Sequence, residues 1–329
     1  ISAIDGISAV ELRIVKDTIL DIEGMREPAS GIAVSFPDYR TPNVNDVYLR
    51  KGRMPEPNRP REVAVLESFA EAHRFEPGDR FHAVLNGLKR ELVITGIVLA
   101  PEYVYAIGPG DMVPDERRFG VFFMSQNALS SIFDLQGAFN NLVATTRKDA
   151  DQQVIVEALD EILKPYGGTG AIKRKDQTSH AFLDSELSQL RAMATVIPPV
   201  FLFVSAFLVN MIMSRLIALE REQIGLLKAV GYSTWGVAWH YAKLVIAICL
   251  LGVLIGSIAG TWLGRGLTEL YGTFFSFPFL VFDQSVDLYF IAALVTIAAA
   301  LAGAAKAIWT TAKLPPAVAM RPPAPPRYH

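Results

Sequence analysis

An α+β domain over residues 1–175, followed by an all-α transmembrane domain with three spans, is the fold that the sequence predicts. Two contrasts predict it. Of the 329 residues 51% are hydrophobic, and nearly all the long uncharged stretches fall within 192–310, whereas residues 1–190 have an ordinary mixed polar sequence. Within residues 1–175, short strand-like and helix-like segments alternate, which is the pattern of an α+β domain.

In the first domain the clearest local signal is a hairpin. Asn86-Gly87 lies between Arg80–Leu85 and Leu88–Leu99, and Asn-Gly supplies the positive φ values that a two-residue type I′ turn requires. Val10, Leu12 and Ile14 alternate with Glu11 and Arg13, Glu62–Leu66 holds the run VAVL, and residues 120–124 read GVFFM. Each predicts a strand. Helices fit 68–74, 126–133 and 149–163. Residues 50–61, RKGRMPEPNRPR, have no helical or strand period and predict a proline-rich loop. From 176 to 191 a polar amphipathic helix, with Leu183, Leu187 and Leu190 near one face, runs into the first span without a glycine. It predicts a stiff stalk rather than a flexible linker.

A membrane helix needs roughly 20 consecutive apolar residues. Residues 192–214 are uncharged between Arg191 and Arg215, residues 244–264 are uncharged, and 288–305 form a third, alanine-dominated stretch. The predicted spans are about 192–217, 234–265 and 287–310 within a transmembrane domain of 192–314, with 315–329 as a tail. Pro198 and Pro199 are expected near the start of the first span, where proline costs least, and Ser233 or Thr234 is the expected N-cap of the second. By length alone the third stretch also fits a buried helix of a soluble protein.

Basic residues near the span ends set the orientation. Arg215, Arg221 and Lys228 fall in the first loop, and Lys306, Lys313, Arg321 and Arg327 follow the third span, whereas 266–286 has no Lys or Arg. Residues 1–190 and the 266–286 loop are therefore expected outside, with 215–235 and the tail in the cytoplasm. This asymmetry argues against a soluble two-domain protein. Residues 271–282, YGTFFSFPFLVF, predict interfacial anchoring or lipid contact. Gly252, Gly256, Gly260 and Gly264 recur every four residues on one helix face, which predicts close helix packing, and Asn210 predicts an interhelical hydrogen bond.

Several function classes lose support. The formal net charge is −2, and no basic stripe interleaved with aromatics is present, so nucleic acid is not an expected partner. His73, His82, His180, His240 and His329 are scattered without metal-ligand spacing, and Cys249 is the single cysteine. No G-x-S-x-G or H-E-x-x-H occurs, and Gly167-Gly168-Thr169-Gly170 lacks the Lys-Ser/Thr of a P-loop. Asp111, Asp115 and Glu116 fit a solvated face. The expectation is a non-enzymatic chain without a cofactor or metal.

The most informative segment follows the first span: Glu220, Arg221, Glu222, Gln223, Ile224, Gly225, Leu226, Leu227, Lys228, Ala229, Val230, Gly231, Tyr232 and Ser233. Ile224, Leu227 and Val230 recur at spacings of three, and Gly231 is placed as a C-cap, so a short amphipathic helix is predicted. It is too short to span and too apolar on one face for water. That face must bury against lipid headgroups or a partner protein.

The run E-R-E-Q-I-G-L-L-K-A-V-G-Y-S resembles the cytoplasmic signature of FtsX/MacB-family ABC transporter permeases, in which charged residues precede an I-G-x-L-[KR]-A-[IVL]-G core. The order of outer domain, stalk, span, signature, span, outer loop and span is similar to the family's. So is the tail Pro315-Pro316-Ala317-Val318-Ala319-Met320-Arg321-Pro322, although Val318 stands where the family has Glu. Residues 49–53, Pro77-Gly78-Asp79 and 94–97 are similar to the MacB-like extracytoplasmic domain. The resemblance implies a bacterial inner-membrane permease in which a separate cytoplasmic ABC ATPase dimer binds Glu220 to Ala229 and Gly231. Ile224, Leu226 and Leu227 would fill an ATPase groove, with Glu220, Arg221, Glu222 and Lys228 at its rim. Further implied partners are a second permease unit (a homodimer or a second repeat of the same chain), membrane lipid and a periplasmic adaptor. The family has four spans, so a first helix is expected before Ile1, and the tail resembles an inter-repeat linker. The implied function is export or extraction of a lipid, lipoprotein or peptide. The alternative is a transmembrane signalling or regulatory scaffold that controls a cell-wall hydrolase or senses a peptide.

Overall fold

The computed structural model describes residues 1–111 and 113–313; the predicted tail, 315–329, lies outside the described residues. The described chain forms two compact units, one of Ile1–Leu187 with Glu269–Leu280 and one of Ser188–Thr268 with the chain from Val281 onward.

The first unit is α+β, as predicted. Its elements are β1 (Ile7–Arg13), β2 (Val15–Asp21), β3 (Ala29–Phe36), β4 (Tyr48–Gly52), β5 (Glu62–Leu66), α1 (Glu67–His73), β6 (Arg80–Leu85), β7 (Leu88–Leu99), β8 (Phe119–Ser125), α2 (Gln126–Ile132), β9 (Asn141–Thr146) and α3 (Gln152–Leu163). Seven strands form a mixed sheet in the order β4-β7-β5-β8-β3-β2-β6. The long β7 pairs with β6 along its first half and with β4 and β5 along its second, so the sheet curls back on itself. The predicted hairpin is present: Leu85 opposes Leu88, and Asn86 and Gly87 take φ of 49° and 74°. Strand β4 overlaps the start of the predicted 50–61 loop. Its five residues are exposed, so no apolar period marked it in the sequence.

β5 and β8 are buried on both faces. Val63, Val65, Phe122 and Met124 enter one apolar cluster with Phe69 and Leu129, while Ala64, Leu66, Val121 and Phe123 enter a second. Central strands covered on both sides read as continuous apolar runs rather than alternations, which is why VAVL and GVFFM stood out.

β1 pairs with β9 in a separate two-stranded ladder, and here the charged set of the alternation faces inward. Glu11 is 1% exposed and Arg13 is buried, whereas Leu12 faces out. Both charges are paired. Arg40 donates to Glu11 at 2.5 and 2.8 Å and the Asn43 N–H donates at 2.8 Å. Arg13 holds Glu102 and donates to Asn141 Oδ1 at 2.7 Å. Buried charges persist only when paired and hydrogen-bonded.

Residues 271–282 were expected at the lipid interface. Residues 269–280 belong to the first unit and pack on it. Phe275 is 5% exposed and stacks on Tyr105 at 5.0 Å; Tyr105 in turn meets Phe182 at 5.0 Å. The Ser276 N–H donates to the Val104 carbonyl at 2.9 Å, Tyr271 donates to Glu186 at 3.1 Å, and Phe279 lies edge-on to Tyr48. Several of these rings thus have protein partners within the first unit, while Phe274 and Phe279 are largely exposed.

The second unit is built from α4 (Thr178–Leu219), α5 (Arg221–Ala229), α6 (Thr234–Phe274) and α7 (Val286–Ala312); α4 and α6 each have one end in the first unit. Among the described residues three helices are long and apolar enough to cross a membrane. α4 begins at Thr178, two residues after the predicted start, because the Gln177 side chain accepts the His180 N–H at 2.8 Å and caps it. Stalk and span are one helix, so Pro198 and Pro199 lie in its interior rather than near a start. Each removes a helical hydrogen bond there.

Three of the four glycines on the predicted face of α6 are uncovered within the described chain. A Cβ added at Gly252, Gly256 or Gly260 would meet nothing within 4 Å, and one at Gly264 would meet the Phe282 ring at 2.9 Å. The half-buried line is instead Val253, Ser257 and Thr261, displaced by one residue, or about 100° around the helix. Thr261 and Tyr289 hydroxyls hydrogen-bond there at 2.6 Å. Close packing is found on α7. A Cβ on Gly303 would collide with the backbone of Ala206 on α4, and Ala300, Ala304 and Ala307 are buried beside it.

Two expectations follow. Gly303→Val should cost about 1–3 kcal/mol through overpacking against immovable backbone, seen as a lower circular-dichroism melting midpoint in detergent, with a much smaller shift for Gly256→Val. For Glu11, burial would raise the carboxyl, but Arg40 and the Asn43 N–H outweigh it and hold the pKa below its ordinary 4.5. A depressed carboxylate stabilises above that ordinary value, and the contribution disappears as pH falls through the folded value. Glu11→Gln should therefore lose about 1–3 kcal/mol at neutral pH and show a shallower further loss on acidification below 4.5, measured by urea unfolding.

Candidate partner-coupling site

The segment singled out by the sequence is a short helix held between two long ones. α4 ends at Leu219 and α5 begins at Arg221. The single residue between them, Glu220, belongs to both helices. Its N–H donates to the Leu216 carbonyl at 3.1 Å, and its carbonyl accepts from the Ile224 N–H at 3.0 Å. At the other end Gly231, with φ of 106°, closes α5. Tyr232 N–H reaches the Leu227 carbonyl at 3.0 Å and Gly231 N–H reaches that of Lys228 at 3.1 Å. This pair of bonds is the Schellman motif, whose left-handed position favours glycine. Ser233 then caps α6 by accepting the Gly236 N–H at 3.0 Å, one of the two caps expected.

The apolar residues of α5 divide between inside and outside. Ile224 is 2% exposed and packs in one cluster with Met213, Ile217, Val237, Tyr241, Ala304 and Ile308; Gly225 is buried next to it. The expectation that Ile224 fills a partner's groove is therefore corrected: Ile224 anchors the helix to its own bundle. The reason is angular. At about 100° per residue, Leu227 is turned roughly 60° and Val230 roughly 120° from Ile224, so a spacing of three drifts off the buried face. Leu226 is 60% exposed, and Leu227, Val230, Tyr232 and Trp235 are exposed as well. Glu222, Gln223 and Ala229 are also exposed, while Arg221 and Lys228 are half-buried. Glu220, expected at a partner's rim, is half-buried and its Oε2 accepts from the Tyr241 hydroxyl at 2.5 Å. Tyr241 was not anticipated. Its spacing from Val245 and Cys249, four residues each, was the available signal.

Chemistry elsewhere is sparse. Among the described residues no group of three or more His, Cys, Asp or Glu could hold a metal. An open cleft of about 820 Å³ in the first unit is lined by Glu71, Arg74, Asp111, Asp115, Glu116 and Arg117 among others. Burial, with Glu71 and Asp115 nearby, pushes the Glu116 carboxyl up. Carboxylates and guanidinium groups face each other there without an imidazole, thiol or hydroxyl among the described lining residues.

Residues 195–316 match the FtsX-like permease C-terminal family. The sequence resemblance to that family is thus borne out over those residues. Among curated proteins none matches. Two solved structures are similar to the chain. One is the periplasmic region of MacB from Actinobacillus actinomycetemcomitans, at 15% identity and a TM-score of 0.30, covering 50% of this chain and 70% of that one. The other is the extracellular domain of the noncanonic ABC-type transporter YknZ from Gram-positive bacteria, at 16% identity and a TM-score of 0.31, covering 52% and 82%.

The split of α5 can be tested directly. Ile224→Ala should lower the thermal midpoint of the helical unit by an amount equivalent to about 2–4 kcal/mol, the usual result of emptying a buried aliphatic site. Leu226→Ala should leave it nearly unchanged.

Proposed function

We propose that this membrane protein, whose residues 195–316 match the FtsX-like permease C-terminal family, is the permease subunit of an ABC transporter, driven by a separate cytoplasmic ATPase dimer that docks on α5. The observation that carries this reading is the division of α5. Ile224 fastens the helix to the bundle, and Leu226, Leu227, Val230 and Tyr232 are left exposed on a short element. A fixed helix with an unpartnered apolar surface is what a docking site needs. Glu222, Lys228 and Arg221 supply polar groups around that surface. Basic residues flank α5, which supports a cytoplasmic location.

In this mechanism closure of the ATPase dimer pushes α5, and the helices to either side carry the movement across the bilayer. α4 runs as one helix of 42 residues and α6 as one of 41, which supports mechanical transmission without passage of cargo through the spans. The uncovered Gly252, Gly256 and Gly260 face fits a second permease unit, since small residues let helix backbones approach closely in lipid. Cargo of this machine is a lipid, lipoprotein or peptide, exported or extracted from the outer leaflet or periplasm, with a periplasmic adaptor as a further partner. A second reading, an outer domain that regulates a cell-wall hydrolase or senses a peptide, draws support from the polar lining of the Glu71–Glu116 cleft; an apolar groove would suit lipid better.

The test is co-reconstitution of the permease with its ATPase in lipid nanodiscs. Leu227→Asp should abolish complex formation and permease-dependent ATP hydrolysis while membrane insertion is retained. Unchanged binding and hydrolysis would remove α5 from the mechanism.

A further inference from the structure

Two side chains at the start of the docking helix reach inward. Ile224 is one. The other is Glu220, which stands in the N-cap position of α5 yet makes no side-chain cap to it. Its carboxylate is committed elsewhere, accepting from the hydroxyl of Tyr241 on α6 at 2.5 Å. Tyr241 is 6% exposed and packs in the same apolar cluster as Ile224, Met213 and Ile217.

Three helices therefore meet at one residue. Glu220 ends α4 through its N–H, starts α5 through its carbonyl, and grips α6 through its carboxylate. Residues four apart lie on the same helix face, so Glu220 and Ile224 form two fixed points about 6 Å apart along α5. One fixed point would let a nine-residue helix pivot. Two define its direction and its rotation, and hence where Leu226 and Leu227 point. The apolar contact at Ile224 is tolerant of rotation, whereas a hydrogen bond is directional.

We propose that Tyr241 is a positioning residue of the docking site: by holding Glu220 it sets the rotation of α5 and passes the partner's push from α5 into α6. The proposal rests on the ATPase-docking reading above. It assigns Glu220 an internal role as hydrogen-bond acceptor rather than an ion-pair role at a partner's rim.

The experiment uses the full permease and its ATPase in nanodiscs, reading the dissociation constant of the complex separately from the permease-dependent rate of ATP hydrolysis. Tyr241→Phe, which removes only the hydroxyl, should lower the stimulated rate on the order of tenfold, as expected for loss of a hydrogen bond to a carboxylate, while the dissociation constant changes by no more than about twofold. Glu220→Ala should match it, and the double variant should lose no more than either single one. Glu220→Gln keeps an oxygen that accepts the Tyr241 hydroxyl, so it should retain more of the stimulation than Glu220→Ala. Full stimulation with Tyr241→Phe overturns the proposal. So does weakened binding with Glu220→Gln alone, because that result places the Glu220 charge against the partner. If Tyr241→Phe fails to insert, the Glu220→Ala and Glu220→Gln pair tests the same bond from its other end, and equal losses overturn it. Leu227→Asp separates the two readings: if it too has no effect, docking on α5 fails; if it abolishes coupling while Tyr241→Phe does not, only the Tyr241 role fails.

Discussion

The seat of α5 is built on the close approach of α7 to α4, whose seam shares one apolar cluster with Ile224. Lipid tails are as apolar as leucine, so helices in a bilayer associate through packing contact and hydrogen bonds rather than through escape from water. Gly303 meets the backbone of Ala206 where no side chain could fit, and Ala300, Ala304 and Ala307 extend that seam. The same seam feeds the cluster that receives Ile224 and Tyr241. A bulkier α7 would widen the bundle at the level where α5 is seated.

The first unit solves a different problem. Its sheet puts alternate residues of β5 and β8 into two separate apolar clusters, which leaves little room for a polar interior there. The buried charges sit at the margin instead, on β1, where Arg40 and Glu102 can reach Glu11 and Arg13. Replacing one partner of such a pair strands the other, so these residues fix the placement of the β1–β9 ladder more than they add net stability.

The sequence carried the class of both units, the Asn86-Gly87 turn, the three spans and the place of α5, because each leaves a local mark in periodicity, turn chemistry or charge. What escaped it was direction. Ile224, Leu227 and Val230 look equivalent in a spacing count, yet only Ile224 faces inward. The glycines of α6 form a conspicuous stripe, yet the contacts within the chain run one residue away, through Thr261 and Tyr289. Gly303 was hidden in an alanine-dominated span whose composition gave no sign of where the backbones would touch. β1 alternates properly but with its charges inside, since a period of two does not say which set of residues is buried. Strands β2, β3, β4 and β9 lack a distinctive local pattern and take their places from neighbours in the sheet and the β1–β9 ladder.

Residues 269–280 belong to the first unit, which makes that unit discontinuous in sequence. Anyone cutting a secretable fragment at the stalk would discard Phe275 and Ser276, leaving the Tyr105 ring face bare and the Val104 carbonyl without its donor. Such a fragment would carry a sticky aromatic scar beside its C-terminus. Grafting the short segment back through a linker would cover it with the chain's own residues.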